Sequence, residues 1–286
     1  MLNKEDKPVG ILDHFKEIKK RLIRYSLVLT SFTIVALIFY KRIISIFIDP
    51  ANQIMNNSLK DGQIVFGRVT EAWGAAARVS IIIAFSLSLP FLLAEIIFFL
   101  KPGLRGKERL YLYILIPSSF IFFVIGVFFS YYMVIPTALK FLITFGSDIA
   151  QPMINIGPLT ALMFSLMFWM GIVFQIPIIM FILGKLDLIS YKKLKNYRRW
   201  IILISFILGA IITPTVDPLT QIMVAIPMII LFEIGLQLIR ITEPEKKGFS
   251  FYLLNFLVVI LILFLITMTI LYKIGLFKEL NVFSVF

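Results

Sequence analysis

The chain has 286 residues, 60% of them apolar and 15% charged, with a mean hydropathy of +0.97. That composition excludes a soluble domain of this length and indicates a polytopic membrane protein. The net charge of +12 would suit a nucleic acid, but the basic residues sit beside apolar stretches, as topology determinants facing anionic lipid do, so no nucleic-acid partner is expected. With no cysteine there is no disulfide, thiolate metal site or Cys nucleophile. A single histidine, His14, excludes a His-pair metal site and weakens any Ser-His-Asp arrangement. Neither metal nor cofactor is expected.

Seven apolar stretches run in order at about 24–39, 79–100, 111–135, 159–184, 200–212, 222–239 and 251–272. Roughly 20 residues are needed to cross about 30 Å of hydrocarbon as a helix. Four stretches meet that length, 24–39 and 222–239 are marginal, and 200–212 is too short unless the bilayer thins around it. Their continuity, without alternation, favours helices over a barrel. Residues 1–23 are too polar for a cleaved signal peptide, so the first span is expected to stay as an anchor. Of the 28 Lys and Arg, 20 fall in the odd-numbered segments outside the stretches and 8 in the even-numbered ones. Lys and Arg near span ends resist translocation, so the N-terminus is expected inside and, after seven crossings, the C-terminus outside.

The first polar element is 13–22, Asp-His-Phe-Lys-Glu-Ile-Lys-Lys-Arg-Leu. Leu12, Phe15, Ile18 and Leu22 give it an apolar stripe, so it reads as an interfacial amphipathic helix that then turns into the first span. Asp13 is a plausible N-cap. Glu17 and Arg21, four apart, can pair for a few tenths of a kcal/mol, a sufficient account of Glu17 without any ligand. Segment 40–78 is an outside loop that resumes helical character at Thr70-Glu71-Ala72-Trp73.

Glu95 lies near the inner end of the second span, where it can snorkel. Pro102 and Gly103 then break the helix, and Glu108, beside Arg109, stands among four basic residues. A glutamate in a first helical turn is already favoured by the dipole. Gln175 is mid-span in the fourth stretch and Glu233 lies in the sixth. Between the fifth and sixth is an outside turn without a basic residue, Thr213-Pro214-Thr-Val-Asp217-Pro-Leu-Thr-Gln221. Polar groups at such depths usually mark function, the bland alternative being an interhelical hydrogen bond of about 0.6 kcal/mol.

These residues resemble the TatC family, the multi-span core subunit of the twin-arginine protein translocase. The resemblance rests on His14-Phe-x-Glu17-Ile-Lys-Lys-Arg21-Leu, Phe99-x-x-Pro-Gly-Leu-x-x-x-Glu108-Arg109 and Phe129-Ser-Tyr-Tyr-x-Val-x-Pro136. It continues with Thr213-Pro-x-x-Asp217-x-x-x-Gln221, Ile226-Pro227 and Phe232-Glu233-Ile-Gly235, and covers about residues 10–240 in family order. It implies an all-α, six-helix core with two short spans over 1–240. Residues 241–286 then form a linker, an additional transmembrane helix at 251–272 and a tail, which departs from the family's usual six spans.

The resemblance also implies a receptor for signal peptides bearing consecutive arginines, exporting folded cargo on the proton-motive force across an energy-transducing membrane, the bacterial cytoplasmic membrane first, with the thylakoid and mitochondrial inner membranes as alternatives. Glu17 and Glu108 match the family's motif glutamates, with Arg21 and Arg109 beside them in the signal-peptide site. Gln175 matches an intramembrane position where the family carries a carboxylate or an amide. As an amide it is a poor proton carrier, yet it can hydrogen-bond a single-span partner of the TatA/TatB type. The same partner role is expected of Thr213, Pro214, Asp217, Gln221 and Glu233. A homo-oligomer is expected.

The main rival is a secondary transporter of a small solute, whose broken helices and mid-membrane polar groups look similar. The chain lacks repeat symmetry and has few charges at mid-depth, which disfavours it. No Gly-x-Ser-x-Gly, His-Glu-x-x-His, intraspan Asp pair or P-loop is present, so an enzyme is not expected.

Overall fold

The computed structural model describes residues 11–58, 64–100, 108–145, 154–185, 188–213 and 217–242. The expected seventh helix at 251–272 and the C-terminal tail lie outside the described residues. The described chain is helical apart from one pair of two-residue strands.

Helix α1 (Ile11–Ile38) runs without interruption through the segment expected to turn at the interface. Asp13 therefore lies inside the helical segment. Its stripe of Phe15, Ile18 and Leu22 is exposed, as is suitable for lipid contact. Helix α2 (Tyr40–Ser58) occupies the first 19 residues of what the sequence suggested was a loop. Strand β1 (Ile64–Val65) precedes α3 (Glu71–Leu100), which carries Pro90 inside a span. Neighbouring helices make such prolines tolerable in membranes.

Helix α4 (Glu108–Phe129) passes through a wider-wound turn, Ser130–Val134, into α5 (Ile135–Thr144). Pro136 explains the turn. It offers no N–H and crowds the carbonyl four residues back, so the ladder widens just before it and Ile135 N–H bonds the Ser130 carbonyl. The Tyr131 hydroxyl donates to the Ile46 carbonyl at 2.9 Å, fastening this turn to α2. Strand β2 (Ile154–Asn155) pairs in parallel with β1, Ile64 opposite Ile154.

The fourth span is split. Helix α6 (Ile156–Val173) ends at Phe174-Gln175, and α7 (Ile176–Lys185) begins beside Pro177, which cannot donate back to Val173. After the short α8 (Tyr191–Asn196) come α9 (Arg198–Ile212) and α10 (Pro218–Thr242).

The lengths correct one expectation. With 15 residues, α9 covers only about 22 Å, as foreseen. Helix α10 has 25 residues, about 37 Å, so only one of the two spans expected to be short is short. Its polar ends explain the difference. Asp217 Oδ1 accepts from Thr220 N–H at 2.7 Å, a side-chain cap, and Pro218 fills the first helical position. Among the described residues five helical stretches are long and apolar enough to span a membrane: Phe15–Ile38, Glu71–Ile96, Pro117–Ile143, Ile156–Gly184 and Pro218–Arg240.

The helices pack as two compact units. In the first, Met1–Gln175 with Ile204–Met228, α1 packs on α3, α3 and α4 on α6, and α2 on α5. The approach of α4 to α6 needs glycine. A Cβ on Gly126 would meet the Met170 carbonyl at 2.6 Å, and one on Gly171 the Phe123 ring at 2.5 Å. The second unit, Ile176–Leu203 with Ile229–Phe286, is centred on Met180, Phe232, Leu236 and Ile239.

Candidate functional site

The described charges concentrate where α1 begins and α3 ends. Arg21 faces two carboxylates at once. Its Nε and Nη2 donate to Glu17 Oε1 at 3.1 and 2.5 Å, and its Nη1 donates to Glu95 Oε2 at 2.8 Å. Arg24 Nη2 also donates to Glu95 Oε2, at 3.2 Å. The local reason is helical spacing. Glu17, Arg21 and Arg24 stand at i, i+4 and i+7, so α1 turns all three toward one side, and α3 brings up Glu95.

The side chains of Arg21 and Glu95 are 17% and 20% exposed, whereas Glu17 is 37% exposed. Glu17 is thus the more accessible of the two carboxylates. Deeper along α1, the Tyr25 hydroxyl pairs with Ser88 Oγ at 3.1 Å and holds the two helices together.

Of the residues expected in this site, Glu17 and Arg21 are joined directly. Glu108 begins α4, followed by Arg109, as a dipole-favoured first turn requires. Glu95 was read from the sequence only as a snorkelling group. The signal that could have found its role is the pair of arginines three apart on α1, two cations on one face calling for a carboxylate beyond Glu17.

Of the intramembrane polar residues, Gln175 is 6% exposed and bonded to its own unit. Its Nε2 donates to the Ser119 carbonyl at 3.1 Å and to Gly171 O at 3.4 Å, while the Ser119 hydroxyl donates to its Oε1. Thr213 is buried, with Oγ1 donating to Gly209 O at 3.0 Å. Asp217 caps α10, and Gln221 Nε2 donates to Phe206 O at 2.8 Å, closing α9 onto α10 across the turn. Gly209 permits that closeness, since a Cβ there would meet Gln221 O at 3.0 Å. Pro214 lies outside the described residues.

In the second unit Glu233 accepts from Arg198 Nη2 and from Gln237 Nε2, the latter at 3.1 Å. It is therefore tied to the start of α9.

Comparison with known proteins agrees with this architecture. The family model for the Sec-independent protein translocase protein TatC matches residues 13–227. TatC of Carboxydothermus hydrogenoformans is 31% identical over 242 residues, 85% of this chain and 97% of that protein. TatC of Synechocystis is 32% identical over 237 residues, 83% of this chain and 90% of that one. A crystal structure of the twin-arginine translocase receptor TatC superposes with a TM-score of 0.70 at 28% identity, covering 80% of this chain and 99% of that one. A second, of the same receptor in DDM, gives 0.71 at 29% identity. With the family's pattern running from the Glu17 segment to Pro227, the chain belongs to the TatC family of multi-pass membrane components of the Sec-independent protein translocase.

Proposed function

We propose that this chain is the signal-peptide receptor and core subunit of a twin-arginine translocase, with its N-terminus in the cytoplasm, moving folded proteins on the proton-motive force. The observation that carries this reading is the state of Glu17. It is a part-exposed carboxylate in a basic field, and it already grips an arginine guanidinium. Arginine presents a planar fork of donors that fits a carboxylate at bidentate geometry, which a lysine ammonium cannot reproduce. Surrounding Lys and Arg repel weakly basic peptides, while Glu17 and Glu108 capture an arginine pair at the right spacing. Arg109 contributes to that field, whereas Arg21 is held between two carboxylates.

The single-span partner, of the TatA/TatB type, is assigned to the neighbourhood of Gln175 and the 213–221 turn. The shortness of α9 supports this, because a bilayer that thins to match a 15-residue helix makes a partner helix carrying its own polar residue less costly to place there. To bond a partner, Gln175 exchanges one of its Ser119 contacts. The test is a pull-down on the detergent-solubilised chain with a twin-arginine signal peptide and a twin-lysine control. The reading expects retention by the first alone. Equal retention by both, or by neither, overturns it.

A further inference from the structure

The geometry points to Arg21 as a displaceable internal occupant of the Glu17 carboxylate, with Glu95 as the residue that keeps hold of it when a cargo guanidinium takes its place. The inference rests on the reading of Glu17 as a cargo contact. Its own support is the two-sided grip. One face of the Arg21 guanidinium, Nε and Nη2, is on Glu17, and the remaining Nη1 is on Glu95 at 2.8 Å. The two halves are separable. Glu95 stands on α3 while Glu17 shares α1 with Arg21, so the Arg21 side chain can release Glu17 and keep its Glu95 partner.

A cation stripped of all its partners at this depth would oppose cargo binding. Arg21 is spared that, because the Glu95 bond remains when the Glu17 bonds go. Arg24, also on Glu95 at 3.2 Å, keeps that carboxylate neutralised in either arrangement. Arg21 and Glu95 are thus positioning residues that set how readily Glu17 becomes available.

The consequences are quantitative. An internal competitor multiplies the intrinsic affinity by the fraction of time that the site stands open, and it does so equally for every ligand. Arg21→Gln should therefore tighten the twin-arginine peptide by about threefold or more, the scale set by one exposed ion pair. A twin-lysine control should gain by the same factor, leaving their ratio unchanged. Glu95→Gln should weaken the twin-arginine peptide by about threefold, because displaced Arg21 then has nowhere to go. In the Arg21→Gln background the same Glu95 change should have almost no effect, a coupling that additive structural damage does not produce.

The experiment measures peptide affinity for the full-length chain in nanodiscs, as wild type, both single variants, the double variant and Glu17→Ala. Arg21→Lys, which keeps the charge but loses the fork, carries the test where Arg21→Gln fails to insert, and should tighten binding less. Weakened or unchanged binding in the Arg21 variants overturns the inference, as does an equal Glu95→Gln loss in both backgrounds, which would make Glu95 a direct cargo contact. Wild-type binding by Glu17→Ala instead removes the underlying reading of Glu17.

Discussion

The Gln175 side-chain amide donates to the Ser119 backbone carbonyl across 3.1 Å, tying the end of α6 to α4 inside the membrane. Burial makes the bond matter, since hydrocarbon offers the amide no substitute. Interhelical bonds of this kind contribute about 0.6 kcal/mol on average and about 1.7 at most. Gln175→Leu should therefore lower melting stability by roughly 1 kcal/mol, and Ser119→Ala should cost less in that background than alone. Additive losses would show that the two groups are not coupled. Under the partner proposal, the same variant should also weaken crosslinking of a single-span partner to residues near 205–221.

Close approach of α4 to α6 predicts an opposite pair of glycine effects. Gly126→Ala drives a Cβ against the backbone of Met170 and Gly171, which cannot rotate away, and should destabilise by about 1–3 kcal/mol. Gly74→Ala, near the start of α3, meets nothing within 4 Å and should stabilise by about 0.5–1 kcal/mol. Comparable melting shifts for the two would remove the α4–α6 crossing from the list of tight contacts.

The pair of Glu233 and Arg198 should contribute much less than its appearance suggests. Their side chains are 43% and 39% exposed, so screening leaves about 0–1 kcal/mol. Glu233→Gln should shift the melting temperature by only a degree or two, as ~1 kcal/mol does at most for a protein of this size. A larger shift would mean that Glu233 is buried in the assembled complex.

Apolar lengths carried the membrane-spanning character of the chain, because they act through the bilayer and need no tertiary contact to be read. They failed where helix and hydrocarbon differ in length. Helix α10 extends past its apolar run at both ends, through Pro218 to Gln221 and out to Thr242. Helix α2 went unseen because Asn, Pro and Asp interrupt its apolar pattern, and it is shaped by packing on α5. The break at 174–175 follows from Pro177, a visible signal. Glu95 is the case no local pattern settles, since its partners stand 71 and 74 residues away.

Orientation is testable separately. The 20-to-8 partition of Lys and Arg predicts that the N-terminus is inside and, with a seventh crossing, the C-terminus outside. A reporter after Phe286 should be accessible only from outside. Access from the cytoplasm, with 240–248 also inside, would reject the seventh crossing.

The most direct measurement is the affinity of a twin-arginine signal peptide for Glu17→Ala and Glu108→Ala, taken alongside each variant's melting temperature. If these carboxylates only pair with Arg21 or cap a helix, their loss touches stability by about 0.3–1 kcal/mol and leaves binding alone. If they receive the cargo's arginines, each loss costs on the order of 2 kcal/mol in affinity, at least tenfold. The account predicts that tenfold loss with little change in melting, and a still greater loss on reversal to Lys. Wild-type affinity in both Ala variants would contradict it.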